Sequence, residues 1–225
     1  MSWMGPATLI ARKDLRIEMR TKDVVTSVGL FALLVVVATS FSFPTSGEGR
    51  QGVAAGMLWM AFLFSCLLGL GRSFALEKEE GNMEGLMSSP APRESIYLGK
   101  MFSNLIFTGL VELAIIPIFL ILLQLHPGKG ITLLVLTAIL GTLCIVTVGS
   151  LFAAMAVNTR TREAILPVLV IPVAVPVVIA SVKATEAAFL GHSVASAQGW
   201  LVLLTAYFLV FLMVAFATFP FLLEE

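Results

Sequence analysis

Few side chains in this sequence combine reactive chemistry with a setting that would use it. Glu112 is a carboxylate inside an otherwise apolar run, His126 and His192 stand in short breaks between such runs, and Cys66 and Cys144 lie within them. A carboxylate is costly in hydrocarbon, and such groups face a bundle interior or an aqueous cavity. Glu112 has Thr108 one helical turn before it and Pro117 shortly after, and a proline frees a carbonyl and bends its helix. Its carboxylate is therefore expected in a translocation path or in a hydrogen-bonded helix contact. Imidazole is a common axial ligand of haem iron, which makes His126 and His192 candidates for transient haem ligation. Neither has a second ligand at helical spacing, which favours two solvated loop histidines. The cysteines have no metal-type spacing and read as small apolar core residues.

The densest group of ionisable side chains lies between Phe74 and Lys100, in FALEKEEGNMEGLMSSPAPRESIYLGK. Acids, glycines and prolines here separate one apolar run from the next, and the segment reads as a docking surface for a soluble partner. Short helices broken at Gly81, Gly85, Pro90 and Pro92 make a compact elbow. Met83, Leu86 and Met87 are its apolar anchors, and its glutamates are rim charges that set orientation.

The elements that hold these residues are dictated by composition. The chain of 225 residues is 58% hydrophobic and 12% charged, with a mean hydropathy of +0.99. Apolar runs of about 20 residues suffice to cross a hydrocarbon core of roughly 30 Å. Backbone polar groups in lipid must pair internally, so the runs are helices, and the alternation of a membrane barrel is absent. The expectation is an all-α membrane protein: one transmembrane domain over 1–225, with six transmembrane spans at 24–43, 52–74, 101–125, 131–157, 164–182 and 199–223, and a cytoplasmic loop at 75–100.

Eleven of the fourteen Lys and Arg fall on one side of these spans, leaving Arg50, Lys129 and Lys183 on the other. The bias puts both termini in the cytoplasm. Ahead of the first span, residues 3–22 form an amphipathic segment rather than a signal peptide. Arg12, Arg16 and Arg20 make one stripe with Lys13 beside it, and Trp3, Ala7, Ile10 and Ile17 share another face that Asp14 and Glu18 interrupt. The segment (1–23) is expected to lie on the cytoplasmic leaflet as an interfacial helix, its cations near anionic lipid headgroups. Three prolines, Pro167, Pro172 and Pro176, fall in the fifth span, where neighbouring helices must repair the missing donors. Gly52–Gly56 and Gly149–Ala153 have the spacing of close helix contacts. A short interfacial or re-entrant helix is possible between Lys183 and Gln198.

No phosphate-binding GxxxxGK[ST], HExxH or GxSxG occurs, so no catalytic residue and no metal or resident cofactor site is expected in this chain. Any ATP-driven chemistry belongs to a partner. A near-zero net charge gives no sign of a nucleic-acid partner.

The polar segment resembles the coupling region of ABC-2-type exporter permeases: an acid-rich helix with Glu77 and Glu80, then Gly81, Glu84, Leu86 and Pro90, and Lys100 opening the next span. Among those permeases the whole chain most resembles the haem exporter protein B family of cytochrome c maturation. The likeness rests on its length, six spans, the opening ARKDLRIEMRTKD, the stretch from Gly56 to Pro90 and the end FPFLLEE. The resemblance implies a multi-pass inner-membrane permease subunit paired with a cytoplasmic ABC ATPase that binds the ATP. It further implies a haem-handling membrane protein and a periplasmic haem chaperone as partners, and haem as a transported or handled ligand. ATP hydrolysis would drive either haem export or release of the loaded chaperone. An ABC-2 permease for a drug or lipid, and a non-transporting membrane scaffold, are the alternatives.

Overall fold

A computed structural model describes residues 4–42, 49–79, 92–156 and 162–222. They form seven helices: α1 (Met4–Thr21), α2 (Asp23–Ser42), α3 (Arg50–Glu79), α4 (Arg93–Leu122), α5 (Ile131–Ala156), α6 (Arg162–Phe189) and α7 (Gln198–Leu222). Two 3-10 turns, Gly128–Gly130 and Val194–Ala197, lead into α5 and α7, and there is no strand among the described residues. Five helices are long and apolar enough to cross a membrane, and the bent pair α1 and α2 raises the number to six. The protein is an all-α, multi-pass membrane protein.

Helices apolar on every side carry no stripe to orient them, so small residues and buried hydrogen bonds fix their packing. The central helix is α5, which touches α3, α4, α6 and α7. Its Gly141 takes the indole of Trp59 from α3, where a Cβ would collide with the ring. Trp59 is 1% exposed, and its N–H donates to the Thr185 hydroxyl of α6 at 2.8 Å. Tyr97 of α4 is fully buried; its hydroxyl donates to the Thr147 carbonyl of α5 at 2.9 Å, and its ring lies 5.3 Å from that of Phe219 on α7. α7 is the least buried of the candidate spans and lies at the rim.

Three boundaries differ from the hydropathy reading. α3 continues past Phe74 to Glu79, and α4 opens at Arg93, behind Pro92 (φ −56°, ψ 138°), so both ends of the polar segment are helical. Proline suits that position because the first helical amides need no internal partner. α6 runs on through Lys183 to Phe189, carried by the alanine-rich ATEAAF and by a Lys183–Glu186 pair at 2.9 Å, three residues apart. Beyond Phe189, a single 3-10 turn runs directly into α7, in place of a separate interfacial helix. α6 stays one helix through Pro167, Pro172 and Pro176, as α4 does through Pro117. Of the two small-residue pairs, Gly149 packs on Leu70 and Gly52 lies beneath the Glu186 carboxylate, whereas Gly56 faces open space.

Candidate functional site

The polar residues of α4 fall on one stripe. Lys100, Asn104, Thr108 and Glu112 recur every fourth residue, and all four are buried. On a helix that spacing stacks side chains over successive turns.

At the start of the stripe, Lys100 is 2% exposed, and its ammonium lies 3.0 Å from the Asp14 carboxylate of α1. Lys13 approaches the same carboxylate at 3.3 Å. The Ser103 hydroxyl is within reach of both Asp14, at 3.2 Å, and the Lys100 carbonyl, at 2.9 Å. Gly99 makes this possible, since a Cβ there would stand 2.7 Å from the Ile10 Cβ and 2.9 Å from the Ala7 carbonyl. Four residues on from Asp14, Glu18 accepts the Val25 N–H at 2.7 Å, satisfying an otherwise orphan donor in the first turn of α2. α1 and α2 meet there at 70°, with Lys22 in a left-handed conformation (φ 59°).

This revises the expected face of α1. Its buried residues are Ala7, Ile10, Ala11, Asp14 and Glu18, so the two acids belong to the docking face. Ile17, expected beside Ala7 and Ile10, is 42% exposed, and Trp3 lies outside the described residues. The arginine stripe of Arg12, Arg16 and Arg20 is exposed on the opposite side. An apolar face interrupted by acids is here a face matched to a buried lysine 86 residues later.

Further along the stripe, the Thr108 hydroxyl lies 3.9 Å from the Cys66 sulfur of α3. Glu112 is 6% exposed and accepts a hydrogen bond at 2.5 Å from the Thr142 hydroxyl of α5. The carboxylate thus sits in the contact between α4 and α5. Cys144 is also buried, its thiol 3.2 Å from the Leu204 carbonyl of α7.

Of the expected coupling residues, Lys100 is the one whose side chain is described, and it is committed to Asp14. Glu77 lies in the last turn of α3. Glu80, Gly81, Met83, Glu84, Leu86, Met87 and Pro90 lie outside the described residues. His126 and His192 are both exposed, in adjacent loops that meet where Gly191 faces the Pro127 carbonyl. No group of three or more His, Cys, Asp or Glu that could hold a metal occurs among the described residues. Sequence reasoning missed Asp14, Asn104, Tyr97 and Trp59. The signal for the first two was the four-residue spacing from Lys100 to Glu112, with an acid left over on α1.

Comparison with known proteins supplies the context. The family described as CcmB protein matches residues 6–223. The chain is 34% identical over 168 residues to "Heme exporter protein B" of Rhodobacter capsulatus, covering 74% of this chain and 76% of the relative. It is 33% identical to the protein of that name from Paracoccus denitrificans, covering 77% and 79%. It is 29% identical to the one from Pseudomonas aeruginosa, covering 88% of both chains.

Proposed function

The chain belongs to the CcmB protein family, and from that premise we propose that it is the membrane-spanning permease subunit of an ABC transporter in cytochrome c maturation. The observation that carries the reading is likeness over nearly the whole chain to relatives named for haem export. Haem is then a cargo or a handled ligand, and the chain holds no resident cofactor. ATP is hydrolysed by a cytoplasmic ABC ATPase subunit that docks on the loop from Glu77 to Pro90. The work done is haem export or release of a haem-loaded chaperone outside the membrane, with a haem-handling membrane protein as neighbour. The protein resides in the inner membrane with both termini in the cytoplasm.

The geometry around the loop supports a transmitting role. α3 enters the loop as one helix of 30 residues, and α4 leaves it as another. Within two turns of its start α4 is locked to α1 by Lys100 and Asp14 and to α5 by Tyr97. A push on the loop therefore moves α4 and α1 as one body. Lys100 acts in this scheme as a brace inside the permease, while contact with the ATPase falls to Glu84, Leu86 and their neighbours.

The test is a haem stain of membrane c-type cytochromes in a strain lacking the chain, complemented by wild type or by a Glu84→Ala/Leu86→Ala variant. Loss of covalent haem, restored by wild type alone, is the expected result. Normal c-type cytochromes in the deleted strain would leave an ABC-2 permease for another cargo or a membrane scaffold. Restored cytochromes in the double variant, with the ATPase still co-purifying, would remove the loop from coupling.

A further inference from the structure

Between α2, α3 and α4 runs a narrow crevice lined on the apolar side by Val25 and Val28, and on the polar side by Ser65, Asn104 and Thr108. Two of these polar groups have no partner among the described residues. The Ser65 hydroxyl and the Asn104 amide nitrogen are buried without a hydrogen bond, on residues 1% and 3% exposed. A lone buried serine is easily explained, because its hydroxyl can turn back to a carbonyl of its own helix. The Asn104 carboxamide has two N–H donors to place, and leaving a buried one unpaired costs about 1–3 kcal/mol. Ser95, Ser150 and Ser181 also carry unpartnered hydroxyls, but none of them lines this crevice. Ser65 and Asn104 come from different helices and converge on one space, which has room for about one water molecule. Thr108, a turn beyond Asn104, gives a third polar wall, and its hydroxyl leads to the Cys66 sulfur at 3.9 Å.

We propose that this crevice is a water-holding seam, in which water bridges Ser65 and Asn104, and that parting of α2 along it lets small hydrophilic molecules reach Cys66 behind Thr108. A water with polar partners on two helices is a structural part of an interior. In a bundle otherwise sealed by Leu, Val and Phe, it also makes the α2 side the face that water enters most readily. The fully buried side chains of α2 are Val28, Ala32 and Val36 among the described residues, with Val25 and Leu33 packed partly on the core. Opening the seam requires this helix to part from α3 and α4.

The two cysteines provide the comparison. Both are buried, at 2% and 0% exposure, and both are within reach of a polar atom. Cys66 borders the seam through Thr108, whereas Cys144 faces the Leu204 carbonyl across the contact of α5 with α7. A thiol reacts as its thiolate, which forms where water can accept the proton. The probe is 2-aminoethyl methanethiosulfonate, applied to the full chain in native membranes. The Cys66 thiolate attacks the sulfenyl sulfur, a mixed disulfide forms, and methanesulfinate leaves.

Peptide mass spectrometry is expected to show Cys66 modified about tenfold or more faster than Cys144. Filling the seam with Ser65→Val and Asn104→Leu is expected to abolish that advantage, and the polar Asn104→Ser is expected to keep it. Equal rates at the two native cysteines would overturn the proposal, and so would an unmodified Cys66 under conditions that fully label a cysteine placed at exposed Ser193. Undiminished labelling in the filled variant would overturn it as well. The wild-type comparison needs no substitution, so it stands even if the filled variant does not fold. None of these readouts depends on the cargo or on the partner ATPase.

Discussion

Asp14 and Lys100 show how much one pair of side chains governs here. Each is nearly withdrawn from solvent, and removing one partner of a buried ion pair strands the other charge, which costs about 3–5 kcal/mol. Asp14→Asn is expected to fall in that range. Lys100→Met should sit at its lower end, because Lys13 remains 3.3 Å from Asp14. The double variant Asp14→Leu/Lys100→Met is expected to be more stable than either single one, since an apolar pair of similar volume leaves no charge unpaired. Thermal unfolding of the detergent-solubilised variants checks this; a double variant as unstable as the sum of the singles would show that the pair is needed for more than neutrality. Lys100 was legible as a special residue because it opens an apolar run after a polar segment. Its partner was not, because a charge on an amphipathic helix looks the same from sequence whether it meets water or a buried lysine.

At the scale of elements, what the sequence conveyed well was helix existence, and what it conveyed poorly was where helices end and which faces meet. Long apolar runs leave no choice but helix in lipid. The start of α4 is set by Pro92, and the run of α6 past Lys183 by alanine content and a local ion pair, to which a hydropathy window is blind. The docking of α1 depends on a glycine whose neighbours lie some 90 residues earlier in the chain. That dependence is testable. Gly99→Leu is expected to push α1 off α4 and to raise tryptic cleavage at exposed Arg12, Arg16 and Arg20 by about tenfold, since cleavage tracks the population of the open form. Gly56→Leu, at a position with open space around it, is the matched control and is expected to leave cleavage unchanged. Unchanged cleavage in Gly99→Leu would mean that α1 accommodates the side chain without leaving its seat.

For the whole molecule, the cytoplasmic orientation proposed from the charge bias can be tested at positions the structure supplies. In a background with Cys66 and Cys144 replaced by alanine, a cysteine at exposed Ser193 is expected to react with a membrane-impermeant thiol reagent in intact cells. A cysteine at exposed Thr8 is expected to react only after lysis. The reverse pattern would invert the protein and move the acidic loop away from any cytoplasmic ATPase. The two ends differ in construction as well. The end that carries Ser193 is closed by tight backbone contacts, with Gly130 against the Ala188 carbonyl and Gly191 against Pro127. The other adds a buried ion pair, Lys100 with Asp14, to the close contact at Gly99.

That contrast bears on how the protein is made. A chain is synthesised from its N-terminus, and earlier segments fold before later ones exist. α1 emerges well before α4, and its seat there is completed only by Gly99 and Lys100, after α2 and α3 have already been made. Until then Asp14 has no lysine other than its neighbour Lys13, and Ala7, Ile10 and Ala11 have nothing to cover them. α1 therefore waits undocked in the nascent chain, and its docking marks the moment at which α4 has arrived in the right register.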